Sequence, residues 1–247
     1  LIPNRIHKVL STFQNCGVRA LLMGGQACVF YGAAEFSRDV DFAVVADPEN
    51  LDRLKAALAD LDASVIAVPP FSVEHLKRGH AIHFRCRHPE AEGLRIDVMS
   101  TMRGVADFSD LWERRTTLQA DDGTLYQLMA LPDLVQAKKT QRDKDWPMIR
   151  RLIEADRIAC RDEADPGQVA FWLREGRTPE LLIDLARSHR ELAREIAIMA
   201  RPLLSAVIEE DEPAIENGLA EEERSERALD RAYWTPLKRE LEELRHA

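Results

Sequence analysis

The chain has four cysteines, Cys16, Cys28, Cys86 and Cys160, and no two share a ligand-type spacing such as C-x-x-C. That absence removes a disulfide framework and a zinc ribbon, and the thiols read as reduced and mostly buried. Long apolar runs are lacking too. The longest charge-free stretch, residues 20–34, is interrupted by Gly24, Gly25 and Gln26 and falls short of the roughly 20 apolar residues that span a bilayer. The opening segment LIPNRIHKVLSTF has no continuous apolar centre and no small-residue cleavage site, so a cytoplasmic protein is expected, with no membrane partner. No G-x-S-x-G elbow, P-loop or H-E-x-x-H is present, which sets aside the common hydrolase, ATPase and metalloprotease readings. A net charge of −9 argues against nucleic acid binding over the whole surface. Charge is nonetheless segregated: residues 138–151 are basic and residues 209–226 acidic.

What is present is ordinary globular material, 45% hydrophobic and 31% charged, in a chain long enough for one large domain or two small ones. Ile6, Val9, Leu10 and Phe13 recur at helical spacing before Gly17, and VRALLM reads as a buried strand. Gly24 and Gly25 form a turn into a short helix, QACVFYGAA, and DVDFAVV is the next strand. Asp47 caps a helix with Pro48 in its first position and Leu51, Leu54, Leu58 and Leu61 as its apolar stripe. SVIAV, HAIHFRCRH and LRIDVM read as further strands, the last two as a hairpin. From about residue 123 the pattern is helical almost throughout, and residues 178–202 read as one helix capped by Thr178. The expected fold is a mixed α/β core, mainly antiparallel and flanked by helices, over residues 1–122, followed by an all-helical domain over residues 123–247.

HAIHFRCRH suggests zinc at first sight. Strand alternation points His83 away from His80, Cys86 and His88, whose side is marked as core by Ile82 and Phe84. His83, Arg85 and Arg87 then share a polar face.

The D-x-D pair, Asp39 and Asp41, places two carboxylates on one side of a strand. Two like charges so close raise each other's pKa unless a cation lies between them. Magnesium, with its preference for hard oxygen ligands and phosphates, is the natural cation. Gly24-Gly25 stands between a strand and a helix, where bare backbone can approach a phosphate. In LRIDVM, Leu94, Ile96 and Val98 share one face, which leaves Arg95 and Asp97 on the other. Asp97 is therefore a third carboxylate, suited to a second metal or to a proton from an attacking hydroxyl. Ser37 and Arg38, just before the pair, are within reach of phosphate oxygens.

With these residues in place, GGQACVFYGAAEFSRDVD followed by RIDV resembles the signature of the polymerase-beta-type nucleotidyltransferase superfamily over residues 18–100. LPDLVQAKKTQRDKDWPMI is similar to a helix of its AbiEii-like branch, which includes toxins of bacterial toxin–antitoxin pairs. Lys138 maps onto a lysine that contacts the triphosphate and Asp145 onto a supporting aspartate. The spacing runs about one residue tight, so Lys139 is a rival, and Met148 stands where a second aspartate is common. The resemblance implies a nucleotidyltransferase that moves a nucleoside monophosphate from an NTP to an acceptor hydroxyl, with two magnesium ions on Asp39, Asp41 and Asp97 and the phosphates seated on Gly24-Gly25. The acceptor is left open among RNA, protein and a small molecule, as in antibiotic-type adenylyltransferases. An antitoxin partner and a catalytically inactive nucleotide- or partner-binding member are further alternatives.

Overall fold

The computed structural model describes residues 4–161 and 163–246; the outer ends of both expected domains lie outside the described residues. The helix expected first is α1 (Asn4–Asn15), stopped by Gly17 at φ +66°. It is followed by β1 (Ala20–Met23), α2 (Gly24–Phe30), β2 (Asp39–Val44), α3 (Pro48–Asp60), β3 (Ala63–Val65), α4 (Val73–Arg78), β4 (Ile82–Cys86) and β5 (Arg95–Met99). Then come α5 (Phe108–Glu113), β6 (Thr116–Gln119), β7 (Leu125–Leu128) and α6 (Leu131–Ala137). The remaining elements are helices: α7 (Asp145–Cys160), α8 (Pro166–Glu175), α9 (Pro179–Ser188), α10 (Arg190–Met199), α11 (Leu204–Glu209) and α12 (Glu212–His246). None is long and apolar enough to cross a membrane, among the described residues.

The seven strands form one mixed sheet in the order β3-β4-β5-β2-β1-β7-β6. The β2–β5 and β1–β7 pairings are parallel and the other four antiparallel, so the sheet is mainly antiparallel as expected. Val40 and Phe42 of β2, Ile96 and Val98 of β5, and Ile82 and Phe84 of β4 are buried on one face. Phe13 of α1 stacks on Phe42 with ring centres 4.6 Å apart. At about 25 cal/mol per Å² of apolar surface, aromatic pairs of this size are among the largest single contributions to such a core. Alternation along the strands then forces Asp39, Asp41, Arg95, Asp97 and His83 onto the opposite face. Asp47 caps α3 by accepting from the Asn50 N–H at 2.8 Å, an arrangement worth about 1 kcal/mol.

Within the described residues the chain forms two compact units, residues 4–30, 34–137 and 233–246 in the first and residues 31–33 and 138–232 in the second. The boundary follows Ala137 rather than residue 122 because the β6–β7 hairpin adds two strands to the sheet through Leu22↔Leu128. Its turn is made by Gly123 at φ +88°, with Asp122 accepting from the Thr124 N–H. The last turns of α12 belong to the first unit, where Glu240 meets His80 at 2.8 Å. The second unit is all-helical apart from loops. Its expected 178–202 helix is two, α9 and α10, parted at His189, and Thr178 occupies the N-cap position of α9 without a side-chain cap bond.

Candidate active site in the first unit

Strands β2 and β5 run parallel with Asp39 opposite Arg95 and Asp41 opposite Asp97, while β4 places His83 opposite Asp97. Residues paired across strands point to the same face. All three expected carboxylates therefore share one side of two adjacent central strands. Asp39 and Asp41 are half-buried, and Asp97 is buried with 8% of its surface exposed.

The glycine pair opens α2 rather than preceding it. Gly24 adopts φ +64°, and a Cβ added there would run into the Asp41 carboxylate. An added Cβ at Gly25 would lie 2.7 Å from Ser37 Oγ. Ser37 donates its hydroxyl to the Asp39 carbonyl at 3.0 Å and lies 3.2 Å from Asp39 Oδ1. The turn, the serine and the D-x-D pair thus form one continuous surface. Sequence separation hides this closeness, and the absence of side chains at 24 and 25 makes it possible.

Asp97 is held more firmly than its sequence context indicates. Arg95 donates Nε to Oδ1 at 2.7 Å and Nη2 to Oδ2 at 2.8 Å, a bidentate grip. His83 Nδ1 lies 2.9 Å from Asp97 Oδ1 and 3.0 Å from Arg95 Nη2. A protonated Nδ1 donates to the carboxylate, and an unprotonated one accepts from the guanidinium. Burial pushes the Asp97 carboxyl up, but hydrogen bonds from His83 and Arg95 and their charges outweigh it and hold it below the usual range. Arg95 is correspondingly pushed up, chiefly by its hydrogen bond to Asp97, with Asp39 and Asp41 adding to the effect. Sequence alternation already put Arg95 and Asp97 on one face; it was silent on the pairing between them.

No three His, Cys, Asp or Glu side chains among the described residues stand close enough to hold one metal ion as they are. Ile82, Phe84 and Cys86 of HAIHFRCRH are core as alternation requires. What the carboxylates do have is a cation: the Arg95 guanidinium bonds Asp97 and feels Asp39 and Asp41. The donors suit magnesium in kind, being carboxylate oxygens on one face.

Lys138 and Asp145 lie in the second unit and form a cluster of their own. Lys138 Nζ is 3.4 Å from Asp145 Oδ1, and Thr140 Oγ1 and Arg142 Nε donate to Oδ2 at 2.6 and 2.8 Å. Burial pushes the Asp145 carboxyl up, yet Lys138, Thr140 and Arg142 together bring it below the ordinary range. Lys139 instead meets Glu175 at 2.8 Å. Of the two lysines, Lys138 is thus the partner of Asp145. Trp146 is buried and donates its indole N–H to the Thr140 carbonyl, an anchor for the same loop.

Compared with known proteins, the chain matches no family model and no curated protein sequence.

Proposed function

We propose that the chain is a magnesium-dependent nucleotidyltransferase that moves a nucleoside monophosphate from an NTP to an acceptor hydroxyl, releasing pyrophosphate. One observation carries the reading: Asp39, Asp41 and Asp97 share one face of adjacent strands, beside a glycine turn that opens directly onto Asp41. Structural aspartates on a strand have no need of a side-chain-free turn pressed against them. When bound by Asp39 and Asp41, with Asp97 completing the set, magnesium would supply charge neutralisation at the attacking and leaving oxygens.

The chain's own residues have the following parts in this proposal. Gly24 and Gly25 let phosphate oxygens approach backbone N–H groups at the first turn of α2. Ser37, on the same surface, has a hydroxyl to offer a phosphate and keeps Asp39 oriented. Asp97 is the carboxylate assigned to the second metal and to the acceptor's proton. The AbiEii-like resemblance implies that Lys138, paired with Asp145, contacts a triphosphate. That branch would add a neutralising antitoxin protein as partner. A cytoplasmic setting, where NTPs and free thiols coexist, goes with this reading.

The bidentate hold on Asp97 favours one competing reading, a member that binds nucleotide or a partner without turnover. Incubation with each α-labelled NTP, magnesium and either total RNA, protein or a metabolite pool separates the possibilities. Label should enter one acceptor class with the wild-type chain and none with Asp39→Asn or Asp41→Asn, both folded. Label in RNA or protein supports the toxin-type enzyme, and label in a small alcohol the antibiotic-type one. Equal labelling by a folded double variant rejects the mechanism.

A further inference from the structure

We infer that Arg95 is a built-in counter-cation of this site, which competes with a divalent metal for Asp97. The inference rests on the nucleotidyltransferase reading and extends it to how metal entry is controlled. Three carboxylates on one sheet face repel one another, and nothing in the resemblance explains how they coexist before metal arrives. The strand geometry does. Arg95 stands two residues before Asp97, hence on the same face, and directly opposite Asp39 in the parallel pairing. Its fork satisfies both oxygens of Asp97. A guanidinium remains charged at any working pH, so the pair does not open by losing a proton.

The same geometry makes the pair displaceable. Both Asp97 oxygens accept from the guanidinium, whose fixed positive charge opposes a divalent ion at this carboxylate while Arg95 stays. The Arg95 side chain is 40% exposed whereas that of Asp97 is 11% exposed, so the arginine is the partner with a route into solvent. His83 lies within hydrogen-bond reach of both and is able to hold Asp97 in orientation while the guanidinium leaves. Metal and Arg95 thus compete as cations for one carboxylate. The site resists bare metal and gives way when the incoming charge is strong enough.

The test is Mn2+ titration of the nucleotide-free full chain, followed by paramagnetic resonance of the free ion and by calorimetry. Arg95→Gln should bind Mn2+ roughly tenfold more tightly than wild type, as removal of a charge-assisted competitor predicts. Arg95→Lys keeps a positive charge for folding but loses the bidentate fork, and should fall between the two. Adding Asp97→Asn to Arg95→Gln should cancel the gain. Unchanged or weaker Mn2+ binding in a folded Arg95→Gln or Arg95→Lys protein overturns the inference and leaves the nucleotidyltransferase reading standing. No Mn2+ uptake by any of these folded proteins also overturns the inference, whereas the nucleotidyltransferase reading is decided by the labelling experiment.

Discussion

The Asp41 carboxylate occupies the space that a side chain at Gly24 would need. Gly24 is also left-handed, at φ +64°. Two separate costs therefore meet at one position. Gly93 is also left-handed, at φ +75°, but has nothing within 4 Å of an added Cβ. An alanine at Gly93 should lose only the backbone term, about 1–2 kcal/mol. Gly24→Ala should lose more, and should also weaken NTP binding by displacing Asp41. Urea unfolding of the two variants compares them directly, and equal losses would show that the contact with Asp41 carries no energy.

Lys138 is expected to matter for folding as well as for phosphate. Its side chain is 10% exposed and that of Asp145 3%. Removing one partner of a buried ion pair strands the other. Lys138→Met should cost about 3 kcal/mol, the low end for such a loss, because Thr140 and Arg142 still bond Asp145. A chemical denaturation midpoint that does not move would contradict the pairing.

Asp145 also gives the stability of the second unit a pH dependence with a definite sign. Its folded carboxyl titrates below the ordinary aspartate value. Below that ordinary value, about 3.9, the unfolded chain binds the proton that the folded one refuses. The contribution is therefore complete above the unfolded value and is lost as pH falls through the folded one. Asp145→Asn should be less stable than wild type near neutrality, with the difference shrinking in acid. Unfolding midpoints across that range provide the check, and a constant difference would be the contrary result.

Two arginines of the second unit, Arg201 buried and Arg177 half-buried, should respond unequally to the same change. Arg201 bonds both oxygens of Glu222 at 2.9 and 2.7 Å, as well as the carbonyls of Leu173 and Gly176 at 2.8 and 3.0 Å. Arg177 makes one hydrogen bond to Glu222, at 2.8 Å, and faces the Trp146 ring. Burial pushes the Arg177 guanidinium down, and the charge of Arg201 adds to this. Arg201→Met should cost about 3 kcal/mol, since it leaves Glu222 with Arg177 alone and strands two carbonyls. Arg177→Met should cost less because it also relieves a repulsion. A reversed order in thermal unfolding would refute this account.

The sheet and its polar face were legible because strand alternation is a local property. Val40 and Phe42 against Asp39 and Asp41, and Ile96 and Val98 against Arg95 and Asp97, assign the faces without any tertiary knowledge. The register that sets Asp41 beside Asp97 was not legible, since it depends on which strands pair. Nor was the grip of Arg95, for a side chain's choice among neighbours is made in three dimensions. The β6–β7 hairpin did carry a signal, Asp122-Gly123 between two β-rich tetrads, and its strands are only four residues each. The break at His189 had none: ARSHREL contains neither glycine nor proline, and its helical periodicity passes through unbroken.

The return of α12 to the first unit has a consequence for synthesis. Tyr233 lies against Gly79 at the end of α4, and Glu240 reaches Arg78 and His80. Domains made first on the ribosome ordinarily fold first. Here the amino-terminal unit cannot be finished until residues 233–246 have emerged, after the whole of the second unit has been translated. A chain halted early would carry all three aspartates and still leave His80 without its carboxylate partner.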